Sequence, residues 1–372
     1  MEVHMEIREG AHLLARPDTV SPVVSGIRTY SRANCPFCGS AGELLYEGMH
    51  DYQFGVPGSW NFRICDDSGC GMIWLDPVPV EQDLARIYSD TDYFGHGESE
   101  DRPKKHSVLE YLRELAGSDY LESRWGYHNN RRGPFSRFAG YLMYADPVKR
   151  LSLDHSVMFL PCHQNGRLIE IGCGNGGFIA QARSLGWQAE GIDFDPKSVE
   201  AARHRGLSIV CGTLEEQTLG ADTYDAAVLC HVIEHVHDPL TLLRECYRIL
   251  RPGSLLVILT PNSSSLGHRI FRRCWLPLDP PRHLHIFNHL SLERLVRQAG
   301  FQVRESNSDS SMSRVTFVAG KMLRLTGHYD PWQTWSLSQK LGCLAWELTE
   351  MLLGTVNSRV GETLKLIASK PE

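Results

Sequence analysis

At 372 residues the chain has room for a catalytic domain plus one or two smaller modules, a domain taking roughly 100–200 residues. Hydrophobic residues at 42% and charged residues at 22% are ordinary for a globular protein, and no stretch reaches the apolar length of a membrane-spanning helix. The formal net charge of -6 offers no global attraction to phosphate backbones, which disfavours nucleic acid as a partner.

The first residues carry Glu2, Glu6, Arg8, Glu9, Arg16 and Asp18 and lack the apolar core of a secretory signal, so 1–34 reads as a polar arm and the protein as cytoplasmic. Most of the 11 cysteines stand singly in apolar stretches, as do Cys211 and Cys246, which fits a reducing compartment better than a disulfide framework. Four do not. Cys35 with Cys38, and Cys65 with Cys70, form two knuckle-like pairs inside a glycine-rich region, 35–80, and four thiolates can close a tetrahedral structural zinc site. The next block, 81–165, is polar and helix-leaning, with a charge-rich interruption from Glu98 to Lys105, and reads as a helical lid or linker.

From 166 to 372, strand-like and helix-like segments alternate. An apolar run, Leu168 to Ile171, ends in glycines; Phe178, Ile179, Ala182 and Leu185 then recur at helical spacing as far as Gly186. A second strand, Gln188 to Ile192, is followed by Asp195 and Pro196, a cap and a first-turn proline, opening a helix that ends near Gly206. Ser208 to Cys211 and Tyr224 to Leu229 are the third and fourth strands. Asp238 and Pro239 repeat the cap signal, and Leu242, Leu243, Cys246 and Ile249 share one face of a helix closed by Gly253. Leu255 to Leu259 is the fifth strand, Ser291 caps a helix ended by Gly300, a strand starts at Phe301, and a last one runs from Leu364 to Ala368. Such alternation implies a mostly parallel α/β sheet with helices on both faces and ligands at the strands' carboxyl ends. The stretch 312–357 between the last two strands is a helix-leaning insertion rich in Trp, Leu and Met.

The loop from Glu170 through Gly172, Gly174 and Gly176 joins the first strand to its helix, where backbone can approach a ligand at the helix N-terminus. Its spacing is G-x-G-x-G with a carboxylate two residues ahead, which suits the amino group of a methionine moiety better than a pyrophosphate. Asp193, at the end of the second strand, stands where an acid would accept hydrogen bonds from both ribose hydroxyls. From Leu168 to Val303 the pattern resembles the small-molecule branch of Rossmann-like S-adenosylmethionine-dependent methyltransferases, which includes the ubiquinone-pathway O-methyltransferases. The resemblance implies S-adenosylmethionine as cofactor. It places Glu170, Gly172, Gly174 and Gly176 at the methionine end, Asp193 at the ribose and Phe194 against the adenine, with Thr213, Leu214 and Cys230 along the same strand ends. Thr213 and Leu214 stand where the family often has an aspartate near the adenine.

His231, Glu234 and His235 follow the fourth strand, beside the expected sulfonium. The quinone-pathway relatives are similar here, which implies a second divalent metal held at Glu234 and His235; the alternative is that His235 orients the loop. His283 and His285, with Arg282, form another polar cluster after the fifth strand. These are solvated loop residues or, for His283, a general base within reach of the nucleophile. Glu234, His235 and His283 are therefore the catalytic candidates.

Ile73 to Pro79, then Tyr88, Tyr93 and Phe94, resemble the amino-terminal region of methyltransferases acting on nucleotide-linked deoxysugars and other glycans. There a zinc-binding lobe precedes the catalytic domain, and the three aromatics would line the substrate enclosure unless they serve the core. The expected reaction is methyl transfer to a small hydroxylated metabolite, a sugar or glycan precursor before a quinone-type phenol. An RNA-base methyltransferase and a non-catalytic cofactor-binding scaffold are the alternatives. The insertion 312–357 offers few cations of its own, so stable membrane association is not expected; a homodimer is compatible with its apolar surface.

Overall fold

The computed structural model describes residues 20–24, 26–89, 108–128, 143–331 and 333–372. Most of the arm, the charged stretch 98–105, Tyr93, Phe94 and Trp332 lie outside the described residues. Near the amino terminus, β1 (Val20–Val24) pairs antiparallel with β2 (Ile27–Tyr30). An antiparallel meander follows: β3 (Gly42–Met49), β4 (Trp60–Cys65) and β5 (Ile73–Asp76). The short β6 (Val78–Pro79) returns to β2. A 3-10 turn at Glu81–Asp83 leads into α1 (Leu84–Ser89), and α2 (Val108–Trp125) and α3 (Pro147–Ser156) come next.

The alternating segments then build the central sheet. In chain order they are β7 (Arg167–Ile171), α4 (Gly177–Ser184), β8 (Gln188–Asp193), α5 (Pro196–His204), β9 (Ile209–Cys211), β10 (Tyr224–Cys230), α6 (Pro239–Ile249) and β11 (Leu250–Pro261). After α7 (Leu266–Phe271), β12 (His285–Ile286) and α8 (His289–Gln298) come β13 (Gln302–Asp309), α9 (Ser313–Thr326), α10 (Leu337–Val356) and β14 (Thr363–Ser369). The seven-stranded order is β13-β14-β11-β10-β7-β8-β9. Strands β7 to β11 run parallel, and β14 lies antiparallel between β11 and β13.

Local chemistry sets the helix starts. Asp195 accepts from the N–H groups of Lys197 and Ser198, and Asp238 from that of Thr241, each followed by proline in the first turn. Such caps are worth about 1 kcal/mol each. Elsewhere the boundaries differ from expectation. Asn288, not Ser291, caps α8; the two residues exchange hydrogen bonds in a capping box, with Ser291 inside the helix. The fifth strand begins at Leu250 rather than Leu255, and Gly253 lies within it at φ 78°, because the chain passes from α6 straight into pairing with Tyr224.

Both sheet faces are covered. On one, Tyr120 and Leu121 from α2 and Val157 and Phe159 from the turn after α3 pack with Leu168, Ile179 and Val228. On the other, Leu243, Cys246, Leu292 and Val296 pack with Ile169, Leu229 and Ile258, and this core continues into Cys35, Cys65, Cys70, Met72 and Trp74 of the cysteine region. That region shares a sheet with the later chain: β12 pairs antiparallel with β5 through His285 opposite Trp74, giving the order β12-β5-β4-β3.

Candidate active site

At the carboxyl ends of β7, β8 and β10 lies a cavity of about 470 Å³. Gly172, Gly174, Asp193, Phe194, Thr213 and His235 line it, together with Glu81, Leu84 and Tyr88 from the segment after β6 and with His231, Val232, Val236 and His237. Gly172 has φ 71°, and a Cβ there would collide with Val232, so the tight turn and the close floor both require glycine. At Gly174 a Cβ would meet nothing, which leaves open space on the cavity side of the loop. Gly176 serves packing instead: a Cβ would fall 2.6 Å from Leu207 and 2.8 Å from Ile209.

Asp193 is buried, and its carboxylate is already partly engaged. Oδ2 accepts the Gly174 N–H at 2.7 Å and Oδ1 accepts the Asp195 N–H at 2.9 Å. Burial raises its pKa against the pull of these two donors. Each oxygen keeps acceptor capacity, as a diol ligand requires. Behind the loop, Glu170 is buried, its Oε2 has no hydrogen-bond partner, and burial with the nearby Asp193 charge pushes its pKa well up. An unpartnered buried acceptor beside a glycine loop fits the ammonium end of S-adenosylmethionine. Phe194 is half exposed and meets the Tyr88 ring edge-on at 5.5 Å between centroids. Leu214 is buried in the core and Cys230 packs beneath the sheet end; neither lines the cavity.

His231 has φ 55° and presents its ring to the cavity, with Nδ1 3.3 Å from Glu234 Oε1. Glu234 is fully buried and also accepts from the Thr260 hydroxyl at 2.9 Å. Burial opposes both charges, yet the contact raises the His231 pKa and lowers that of Glu234. His235 Nδ1 lies 3.1 Å from the Arg282 carbonyl and 3.1 Å from the Tyr88 hydroxyl; burial, reinforced by His283, holds its pKa at about 4. His283 stands behind it, ring centroids 4.6 Å apart, with Nδ1 2.7 Å from the Pro277 carbonyl, and does not line the cavity.

Glu234, His235 and His283 bring ligand atoms within 4.8 Å of one another. With each Nδ1 beside a carbonyl, Nε2 is the atom each ring can offer, so two imidazoles and a carboxylate suit a divalent ion. The second polar cluster is not solvated: Arg282, His283 and His285 are all buried. Arg282 pairs bidentately with Asp51 at 2.7 and 2.8 Å and also with Asp279, and its guanidinium covers Phe54. Its role is to fasten the amino-terminal lobe to the loop that carries His283.

The sulfurs of Cys35, Cys38, Cys65 and Cys70 also lie within 4.8 Å of one another. Cys35 Sγ is 3.8 Å from Cys70 Sγ, and Cys38 Sγ is 3.4 Å from Cys65 Sγ. A tetrahedral zinc with Zn–S near 2.3 Å sets sulfurs about 3.8 Å apart, so the donors fit. The wider second pair is tied to the catalytic side, since Asn288 donates to the carbonyls of Cys70 and Gly71 at 2.9 Å each.

Sequence reasoning singled out the glycine loop, Asp193, Phe194, Tyr88 and the four cysteines. It placed His231 with Glu234 and His235 at this edge but did not foresee the His231–Glu234 contact, nor Asp51, Glu81, Leu84 or His237, which no local spacing marks.

Strand order, glycine loop and strand-terminal aspartate make a Rossmann-like α/β domain and resemble those of S-adenosylmethionine-dependent methyltransferases. Residues 141–306 match the family model described as a methyltransferase domain. The chain is 32% identical over 149 residues to a ubiquinone biosynthesis O-methyltransferase of Cereibacter sphaeroides, covering 37% of this chain and 60% of that protein. It is 27% identical over 151 residues to the enzyme of the same name from Parvibaculum lavamentivorans, again 37% and 60%. Among solved structures, a SAM-dependent methyltransferase from Archaeoglobus fulgidus is similar at a TM-score of 0.41 and 19% identity, covering 62% of this chain and 99% of that one. The chain spans 60% of the length of these two curated relatives.

Proposed function

We propose that this protein transfers a methyl group from S-adenosylmethionine to a hydroxyl oxygen of a small acceptor. The observation that carries the reading is one cavity in which the glycine loop and Asp193 form one wall and His231, His235 and Tyr88 another. S-adenosylmethionine supplies an electrophilic methyl on a sulfonium. As the acceptor oxygen bonds to that carbon, the carbon–sulfur bond breaks, leaving a neutral thioether, and the hydroxyl proton must go to a base. His231 is the best-placed base, because Glu234 holds its Nδ1 while the ring faces the cavity. Glu234, His235 and His283 are the residues that would hold a divalent ion; Cys35, Cys38, Cys65 and Cys70 would hold a structural zinc.

A sugar or glycan precursor is the proposed acceptor class, on the likeness of the cysteine lobe to that of sugar methyltransferases. A quinone-type phenol is the second reading, favoured by the ubiquinone O-methyltransferase relatives and by Leu84, Tyr88 and Val236 on the acceptor wall. The test is transfer of isotopically labelled methyl to panels of nucleotide sugars and catechols, with the product bond located by NMR. The expected product is a methyl ether, and His231→Ala should lower kcat at least 100-fold, as loss of a base does, with cofactor affinity unchanged. Methylation at nitrogen or carbon, or turnover indifferent to His231, would overturn the proposal.

A further inference from the structure

The turn from Asp279 to His283 is held by a buried ion triad that the proposed reaction does not use. Arg282 donates from Nη1 and Nη2 to Asp51 at 2.7 and 2.8 Å, from Nε to Asp279 Oδ2 at 2.9 Å, and from Nη2 to Asp279 Oδ1. All three side chains are buried. Asp51 belongs to the connection between β3 and β4, where its carboxylate also accepts the N–H groups of Gln53, Phe54 and Val56 at 3.0 Å each. Gln53 in turn donates to Asp279 at 3.1 Å. Asp279 stands at φ 38°, a left-handed conformation that a non-glycine residue keeps only where its surroundings hold it. Desolvating three charges stabilises a fold no better than an apolar cluster of similar volume, so what the triad adds is direction. Four N–H bonds from one rigid planar group fix where Arg282 sits.

That position acts through the Arg282 backbone, whose carbonyl lies 3.1 Å from His235 Nδ1. A carbonyl only accepts, so this contact requires the proton on Nδ1 and leaves the lone pair on Nε2. The Tyr88 hydroxyl, also 3.1 Å from Nδ1, can donate or accept and tolerates either tautomer. Of these two contacts, the carbonyl is the one that selects. Beyond His283, the Leu284 and His285 N–H groups bond to the Glu234 carbonyl at 2.8 and 3.1 Å, which ties the far end of the same segment beside His235. The triad holds the near end.

We propose that Asp51 is a positioning residue for His235: by holding Arg282 it keeps the Arg282 carbonyl on Nδ1 and fixes the ring in its Nδ1–H form. The amino-terminal lobe thereby sets the state of a ring that lines the cavity. The inference rests on the proposed methyl transfer only for what the Nε2 lone pair then does, which is to take a proton or hold an ion.

The experiment is 1H–15N NMR of the imidazoles in the full chain without cofactor or acceptor, with His235 assigned through His235→Gln. Wild-type His235 is expected as the Nδ1–H form, its two nitrogens well separated in shift. In Asp51→Asn the guanidinium loses one of its charged acceptors, and the two shifts should move towards each other as both tautomers populate. Turnover in the methyl-transfer assay should fall about 10- to 100-fold, as on loss of a group that orients a histidine, with S-adenosylmethionine affinity unchanged. If Asp51→Asn does not fold, Asp51→Asn with Arg282→Met and Asp279→Asn removes the three charges together, leaves none unpaired and carries the same expectation. A wild-type His235 protonated on Nε2, or a folded variant of either kind that keeps the Nδ1–H signature, overturns the inference, as does undiminished turnover. A wild type that shows the tautomer and loses it in the variant, yet transfers no methyl group, supports the role of Asp51 and counts against the proposed function alone.

Discussion

Replacing Asp193 by Asn tests the cofactor assignment at the residue where most of it converges. In the free protein both carboxylate oxygens hold backbone: Gly174 N–H on Oδ2 at 2.7 Å and Asp195 N–H on Oδ1 at 2.9 Å. An amide keeps one acceptor and turns two donors on the other N–H, so one buried N–H loses its partner, costing about 1–3 kcal/mol of stability. The ligand loses more specifically. Hydrogen bonds to a charged acceptor contribute about 1.5–3 kcal/mol, and each 1.4 kcal/mol is tenfold in affinity. Losing one such bond therefore raises Kd for S-adenosylmethionine by about 10- to 150-fold. Calorimetric titration on protein whose circular dichroism matches the wild type reads this directly. A folded Asp193→Asn protein that binds S-adenosylmethionine with wild-type affinity would refute the placement of the ribose at this strand end.

Freshly purified protein should contain one zinc per chain, and chelation should lower the melting temperature of the whole molecule by about 10 °C in a single transition. At roughly 2–4 °C per kcal/mol for a large domain this corresponds to about 3 kcal/mol. The cysteines share a core with Leu292 and Ile258, so their loosening should not stay local; elemental analysis without zinc, or a separate low-temperature transition, would count against it. Glu350 and Glu362 give a pH dependence. Glu350 accepts from the Ser313 hydroxyl and the Glu362 N–H, Glu362 from the Trp275 and Gly267 N–H groups, and burial raises both pKa values, Glu350 further through Glu362. The folded state thus holds protons that the unfolded chain releases above the ordinary value of 4.5, so stability should fall as pH rises from there through the raised folded values. Glu350→Gln should therefore stabilise at pH 8 by about 1 kcal/mol or more and have little effect at pH 5; equal effects in denaturant melts at both pH values would contradict the sign.

The sequence by itself determined what depends on neighbours along the chain. Asp195 with Pro196 and Asp238 with Pro239 announce helices because the cap bonds reach two or three residues, and Glu170 with its glycines announces a loop because φ is a local property. Burial of apolar runs at strand and helix periods then made the alternating sheet legible. The boundaries of α8 and β11 were misjudged where pairing with distant residues set them, as with Tyr224 opposite Leu250. Only the tertiary structure decided that His285 completes the sheet of the cysteine lobe and that Asp51 neutralises Arg282. The same holds for His231, whose partner Glu234 is close in sequence but whose access to the cavity depends on the walls supplied by Tyr88 and Phe194. These are contacts between segments far apart along the chain, fixed by the burial of shared surface and the need to pair buried charges, and no local spacing encodes them.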